Sequence, residues 1–334
     1  DGKKYAPERT FTGNLNEVKK HFSRLGLGTF VILGLGSVVQ ILAMGVVDRV
    51  FPQWMENSWG MWLITFAPLY LIAVPVGLLL LRKVPAKPLE KHDLKPVRYL
   101  VSAIICIFMM YAGNILGTVI TALLQLLPGI SAGNPILGYA TDNALLPKVL
   151  FMVILAPVIE EYIFRKQLID RMHIYGEKLA VITSALMFGL FHGNLSQLFY
   201  AFALGLVFGY VYLKTGRLRY SIGLHMLINF IGSVVGPFFL EKLAVLDTME
   251  TMDLATLEPI LPWLLGFGAY VLVLIGLAVT GLVLLCINKR RVSFAPAELE
   301  LPKESRFKTV YVNVGMILLI LGCAALIISN VMML

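Results

Sequence analysis

An uninterrupted apolar run that ends in two adjacent carboxylates constrains this chain more than any other feature. Residues 149–159 are eleven apolar residues, and Glu160 and Glu161 follow them with no loop between. If the run is a helix that enters a bilayer near Lys148, a rise of about 1.5 Å per residue places Glu160 roughly 18 Å along its axis. That depth lies inside a hydrocarbon layer of about 30 Å. Ionisable groups at this depth are costly and need partners, so the other intramembrane polar residues decide what the chain does.

The composition is typical of a polytopic membrane protein. Hydrophobic residues make up 58% and charged residues 14% of the 334 positions, more apolar than a soluble core needs. Hydropathy places nine spans, which predicts an all-α transmembrane bundle of about eight to nine helices. The three cysteines lie in apolar stretches without paired spacing, which indicates buried thiols and no disulfide framework. The chain begins with a basic, non-apolar run, so we expect no cleavable signal peptide.

The spans and the polar segments between them divide the chain into four parts. They are a basic cytoplasmic tail (1–24), the N-terminal transmembrane helices (25–144), a core with the intramembrane polar residues (145–240), and the C-terminal transmembrane helices (241–334) with a basic cytoplasmic loop at 288–308.

The basic residues lie almost entirely on one side of this topology. Of the 28 Lys and Arg, 25 fall in segments that nine spans place on the side of the N-terminus, and only Arg49, Lys148 and Lys242 fall opposite. The positive-inside rule then predicts a cytoplasmic N-terminus and an external C-terminus. Lysine-rich, cysteine-poor loops favour a bacterial inner membrane. The same asymmetry explains the net charge of +8, and no basic stretch carries interleaved aromatics, which excludes a nucleic-acid partner.

Two of the five histidines, His192 and His225, lie in apolar segments. The other three lie in polar, charged segments, where we expect solvated rings. No serine or cysteine has the spacing of an activated nucleophile beside either imidazole, and Ser221, four residues before His225, is only a loose candidate. This pattern favours an activated water over a covalent intermediate.

Helical spacing predicts different roles for the two glutamates. Residues four apart stack on one face, so Glu161 lies over Arg165, whose guanidinium suits a desolvated carboxylate. Glu160 points about 100° away and remains available to take a proton from water. Pro157 removes a backbone donor and frees a carbonyl near the site. On a later segment His225 lies over Asn229, and an imidazole with an amide can donate to an oxyanion.

Three motifs in chain order resemble those of the CPBP family, the CAAX protease and bacteriocin-processing intramembrane proteases. They are Glu160-Glu161-x-x-x-Arg165, Phe188-x-x-x-His192 and His225-x-x-x-Asn229, all within residues 145–240. The resemblance implies an intramembrane endopeptidase with a conical cavity open to the cytosol. It acts on a membrane-embedded or lipidated, CAAX-like, peptide or protein substrate within the bilayer.

The resemblance also implies a role for each matched residue. Glu160 and His192 are expected to activate the water, and His225 with Asn229 to form the oxyanion hole. The remaining motif residues, Glu161, Arg165 and Phe188, are expected to support the site.

Three other interpretations remain open. The first is a zinc enzyme with the metal held by His192, His225 and Glu160, although no His-Glu-x-x-His spacing supports a zinc site and we expect no required cofactor. The second is a purely structural role for the acid pair with Arg165. The third is a non-catalytic binding or bacteriocin-immunity protein with the protease fold, or a transporter, although the halves of the chain show no internal repeat. The sequence does not indicate an oligomeric state.

Overall fold

The computed structural model describes residues 11–130, 144–244, 246 and 257–332, and these residues form helices, turns and loops without a strand. The all-α class predicted from the sequence is therefore confirmed. The first ten residues of the predicted tail, residues 131–143 and most of the acidic loop at 241–258 lie outside the described residues. The helices that build the bundle are α1 (Leu15–Val50), α2 (Ser58–Leu81), α3 (Pro96–Leu124), α4 (145–172), α5 (Glu177–Phe191), α6 (Leu195–Thr215), α7 (Leu218–Leu243), α8 (Leu261–Asn288), α9 (Lys303–Tyr311) and α10 (Val314–Met332).

Seven helices of the described part are long and apolar enough to cross a membrane, which gives a polytopic bundle. They are α1, α2, α3, α6, α7, α8 and α10. The other two predicted spans, α4 and α5, are also helical but differ in kind. Helix α4 carries charged residues between its ends, and α5 has only 15 residues, about 22 Å at 1.5 Å per residue. A break at residues 192–194 separates α5 from α6.

Asparagine side chains set helix boundaries that hydropathy did not predict. Helix α1 begins ten residues before the predicted span because the side chain of Asn14 caps it, accepting from the N–H of Asn16 at 2.9 Å. Asn313 separates α9 from α10, since its Nδ2 donates to the Val310 carbonyl at 2.8 Å and its Oδ1 accepts from the Met316 N–H at 3.0 Å. Part of the predicted basic loop at 288–308 is therefore helical.

The segments predicted to be cytoplasmic meet at one end of the bundle. The Lys87 N–H donates to the Asp170 carbonyl at 2.7 Å, and the His92 N–H donates to the Thr215 carbonyl at 2.8 Å. Residues 82–98 are basic and contain three prolines, a composition that predicts a solvated linker. They are mostly exposed, but backbone hydrogen bonds fix them to the bundle. His21, expected to be solvated, is instead buried, and its Nε2 lies 2.7 Å from the Arg171 carbonyl.

Glycines bring two pairs of helices into close contact. Helices α1 and α10 run parallel, and a Cβ on Gly315 would lie 1.7 Å from the Ser23 carbonyl oxygen. Helix α3 approaches α6 in the same way, since a Cβ on Gly113 would lie 2.4 Å from the Tyr200 Cα. Gly113, in the small-residue pattern Gly113-x-x-x-Gly117, thus lies at a close helix contact. Helix α10 is thereby fixed against the N-terminal helix, and α6 against α3.

Candidate active site

Irregular helical turns surround the two glutamates of α4. The two glutamates are the last residues of a short α-helical stretch, Ala156–Glu161. This stretch lies between wider π-helical turns at Val149–Leu155 and Tyr162–Ile169. Such turns displace side chains from regular helical positions and often occur at functional sites. The segment that supplies both acids is therefore the least regular in the bundle core.

Asn229 compensates for a backbone donor that Pro157 cannot provide. Proline has no N–H, so a carbonyl on the preceding turn lacks its helical partner. The Nδ2 of Asn229, on α7, donates to the Met152 carbonyl at 2.8 Å. Asn229 thus ties α7 to α4, and the expected pairing of this amide with His225 in an oxyanion hole must use its second N–H.

Glu161 and Arg165 form the predicted ion pair, and both side chains are fully buried. Arg165 Nε donates to Glu161 Oε2 at 3.0 Å, and its Nη2 donates to Oε1 at 3.3 Å. The Nη1 of Arg165 donates to Ser184 Oγ at 2.9 Å, and that hydroxyl donates to the Phe164 carbonyl at 2.6 Å. Every charged group in this cluster therefore has a partner, as burial requires.

Two phenylalanines enclose the ion pair. The Arg165 guanidinium carbon lies 4.7 Å from the ring centre of Phe188 and 5.8 Å from that of Phe208, within cation–π range. The Phe208 ring also stacks on the His225 ring, with centroids 5.1 Å apart. Phe188, the aromatic residue of the second motif, and Phe208 thus both contact the guanidinium of Arg165.

His225 lies between the two carboxylates. Its Nδ1 is 3.0 Å from Glu161 Oε1, and its Nε2 is 3.7 Å from Glu160 Oε2. Because an ionised Glu161 can only accept, Nδ1 carries a hydrogen and donates to it. The opposite nitrogen faces Glu160, so one imidazole links the buried acid to the second, less buried acid.

Glu160 and His192 make up the more accessible part of the site. The Glu160 side chain is 23% exposed, whereas Glu161 is fully buried. The His192 Nδ1 lies 2.8 Å from the Phe188 carbonyl, and since a carbonyl only accepts, this nitrogen is the donor and the Nε2 of the neutral ring is an acceptor.

The described residues thus bring the motif residues of α4, α5 and α7 into one cluster. Ser184 and Phe208 also belong to it and were not found from the sequence. Each lies on a helix other than α4, so spacing along the glutamate helix carries no signal for them. A pairing across helices needs the packed structure.

In both histidines Nδ1 makes a hydrogen bond, to Glu161 in His225 and to the Phe188 carbonyl in His192. The Nε2 of His225 faces Glu160, and the Nε2 of His192 is an acceptor. Hydrogen-bond partners of this kind orient imidazoles for metal binding or for proton transfer. Within the described part of the chain, no three His, Cys, Asp or Glu side chains are close enough to hold a metal ion. The histidine orientations by themselves do not distinguish metal binding from proton transfer.

The site is a carboxylate–imidazole cluster within a helical membrane bundle. Residues 142–231 match the family model described as Rce1-like, type II CAAX prenyl endopeptidase. The matched segment contains all three motifs, and the match supports the resemblance to the CPBP family of CAAX proteases.

A curated relative supports the same resemblance. The chain is 33% identical over 88 residues to the membrane-embedded CAAX protease MroQ of Staphylococcus aureus (strain USA300). The match covers 24% of this chain and 36% of the relative. No solved structure matches this chain. With its seven apolar helices and a membrane-embedded relative, the chain is an integral membrane protein.

Proposed function

We propose that this chain is an intramembrane endopeptidase that hydrolyses a peptide bond with water activated by Glu160 and His192. The observation that carries the proposal is the unequal environment of the two adjacent glutamates. Glu161 is fully buried and paired, whereas Glu160 is partly exposed, with an imidazole nitrogen 3.7 Å from its Oε2 as its nearest ion-pair partner. A carboxylate without a neutralising guanidinium, beside oriented imidazoles, suits general-base work.

In the proposed reaction Glu160 takes a proton from water while the Nε2 of His192 accepts the second O–H. The water oxygen then bonds to the substrate carbonyl carbon, and the carbonyl electron pair moves to oxygen. His225, held by Glu161, donates from Nε2 to this oxyanion when its ring is protonated, and the free N–H of Asn229 is a second donor. As the C–N bond breaks, Glu160 returns its proton to the leaving nitrogen. One water is consumed, giving a carboxylic acid and an amine, and the acid then transfers its proton to the amine or to solvent.

The substrate we propose is a membrane-embedded or lipidated, CAAX-like, peptide or protein. The names of the matched family and of the relative support this class, as does a site built from helices that suit a bilayer. We also propose a bacterial inner membrane with the N-terminus in the cytoplasm, since the predicted cytoplasmic segments gather at one end of the bundle. No cofactor is required in this mechanism.

The test is cleavage of a quenched lipidated peptide by the purified wild type and Glu160→Gln in detergent, each with and without a strong chelator. Activity that survives chelation and vanishes in Glu160→Gln is the expected result. Activity lost on chelation and restored by Zn²⁺ would contradict the metal-free mechanism and assign His192, His225 and Glu160 to a zinc site. Ser221→Ala in the same assay should retain cleavage, whereas its complete loss would indicate a serine nucleophile.

A further inference from the structure

Helix α10, the most C-terminal helix of the described residues, contacts the turn that carries His192. The Nδ2 of Asn330, near the end of α10, donates to the Gly193 carbonyl at 2.8 Å. Gly193 adopts φ +64°, and a Cβ there would lie 3.0 Å from Leu326 Cδ1, also on α10. Helix α10 therefore contacts both the carbonyl and the Cα of the residue that follows the histidine.

Asn194, the N-cap residue of α6, contacts the same turn. The Nδ2 of Asn194 lies 3.0 Å from the His192 carbonyl and donates to it, while its Oδ1 accepts from the Gln197 N–H at 2.9 Å. Carbonyls at the end of a helix have no intrahelical donor. Both carbonyls that follow α5, those of His192 and Gly193, thus depend on asparagine side chains, one from α6 and one from α10.

The position of the His192 ring depends on this backbone. The ring donates from Nδ1 to the Phe188 carbonyl of its own helix, so no side chain of another helix holds it by a hydrogen bond to Nδ1. Glycine rotates more freely than other residues, and the Gly193 peptide is the joint between α5 and α6. If Asn330 did not hold that peptide, the turn would move and His192 would move with it.

We propose that Asn330 is a positioning residue for His192, which makes α10 part of the catalytic apparatus. This inference rests on the proposed function of His192. Asn330 lies about a hundred residues beyond the matched segment, which ends at residue 231, so the family motifs do not indicate it. The Asn330–Gly193 hydrogen bond joins the C-terminal helix to the second motif.

The test compares Asn330→Asp with wild type, and uses Asn288→Asp as a matched control. Asn288 also donates to a carbonyl near a helix end, that of Leu284 at 2.8 Å, but at the far end of α8. Asp keeps the shape of Asn and loses the N–H donor, but it adds a carboxylate whose charge acts on a nearby imidazole. A misplaced catalytic group costs up to about 100-fold in rate, so we expect kcat of Asn330→Asp to fall about 10- to 100-fold with KM within about twofold. The limb of the pH profile that reports the imidazole should shift, and Asn330→Gln, which keeps a donor, should recover part of kcat. Asn330→Leu, which lacks both the donor and the charge, should show the same fall in kcat and the same shift of the pH profile as Asn330→Asp.

Two outcomes would overturn the inference. One is an unchanged kcat and pH profile in Asn330→Asp. The other is a loss of activity that only follows the loss of folded protein, with the pH profile unmoved, which would make the contact structural. If wild type cleaves nothing, the proposed function fails separately. The placement of His192 is then read from its carbethoxylation rate by mass spectrometry. A rate at least about twofold faster in Asn330→Asp supports the inference, and an equal rate contradicts it.

Discussion

The two halves of the site each contain one of two adjacent glutamates, and the environments of these glutamates are opposite. The sealed half is Glu161, Arg165, Ser184, Phe188 and Phe208, and the open half is Glu160 and His192. In the sealed half every charge is neutralised at hydrogen-bond distance and the ion pair is fully buried. In the open half the carboxylate is 23% exposed, and among the described residues its ion-pair partner is the His225 imidazole and not a guanidinium. Adjacent, chemically identical acids thus lie in different environments. A buried, paired charge suits a structural role, and we propose that the more accessible one is a base.

The largest effect is expected in the sealed half, from Glu161→Ala. The substitution leaves the Arg165 charge buried without its carboxylate, and removing one partner of a buried pair costs about 3–5 kcal/mol. The measurement is the free energy of unfolding in detergent, from denaturant titration of wild type and variant. A variant as stable as wild type would show that the ion pair does not hold the bundle.

The next effect is expected in the open half, from His192→Gln. General acid–base groups contribute about 100-fold or more in rate, so kcat for the quenched peptide should fall at least that far. Stability should stay within about 1 kcal/mol, since surface-accessible substitutions rarely cost more. Equal losses of activity and of folded protein would place His192 in the structural half.

A smaller effect is expected from Ser184→Ala, which removes the hydroxyl between Arg165 and the Phe164 carbonyl. A buried donor left without a partner costs about 1–3 kcal/mol. The free energy of unfolding should fall by that amount, while KM stays unchanged. Ser196→Ala on α6 is the matched control. If the two variants unfold alike, the hydroxyl has no role in the sealed half.

How far the sequence predicts this site depends on which contacts lie within one helix. The Glu161–Arg165 pair follows from a spacing of four residues, and the structure confirms it. The partner of Asn229 does not follow, because the freed carbonyl is on another helix and only packing brings Met152 within reach. For the same reason the sequence did not predict that His225 would contact both glutamates.

The fold, too, is only partly predictable from the sequence. Apolar runs predict which segments are helical, since a bilayer leaves backbone groups no other partners. They do not predict caps, so Asn14 extended α1 beyond its apolar part. Hydrogen bonds between loops are also absent from the hydropathy, which is why residues 82–98 read as a free linker and are in fact tied to Asp170 and Thr215.

The smallest effect is expected outside the bundle, at the exposed ion pair of Lys87 and Glu298. Lys87 lowers the pKa of Glu298 below its ordinary value, so the pair stabilises the fold at neutral pH. This contribution is lost as the pH falls through the lowered pKa, where the carboxylate becomes protonated. Glu298→Gln should therefore be slightly less stable than wild type at pH 7 and equal to it at low pH. A constant difference at both pH values would show that the charge is not involved.

The measurement that tests the division of labour most directly is a pair of isosteric variants, Glu160→Gln and Glu161→Gln, each assayed for cleavage and for unfolding on the same preparation. We expect Glu160→Gln to unfold like wild type and to cleave nothing above background. Glu161→Gln should unfold at a clearly lower denaturant concentration, because Arg165 keeps an amide oxygen in place of a charge. If the two variants lose the same stability, or if Glu160→Gln still cleaves, the assignment of one acid to structure and the other to catalysis is wrong.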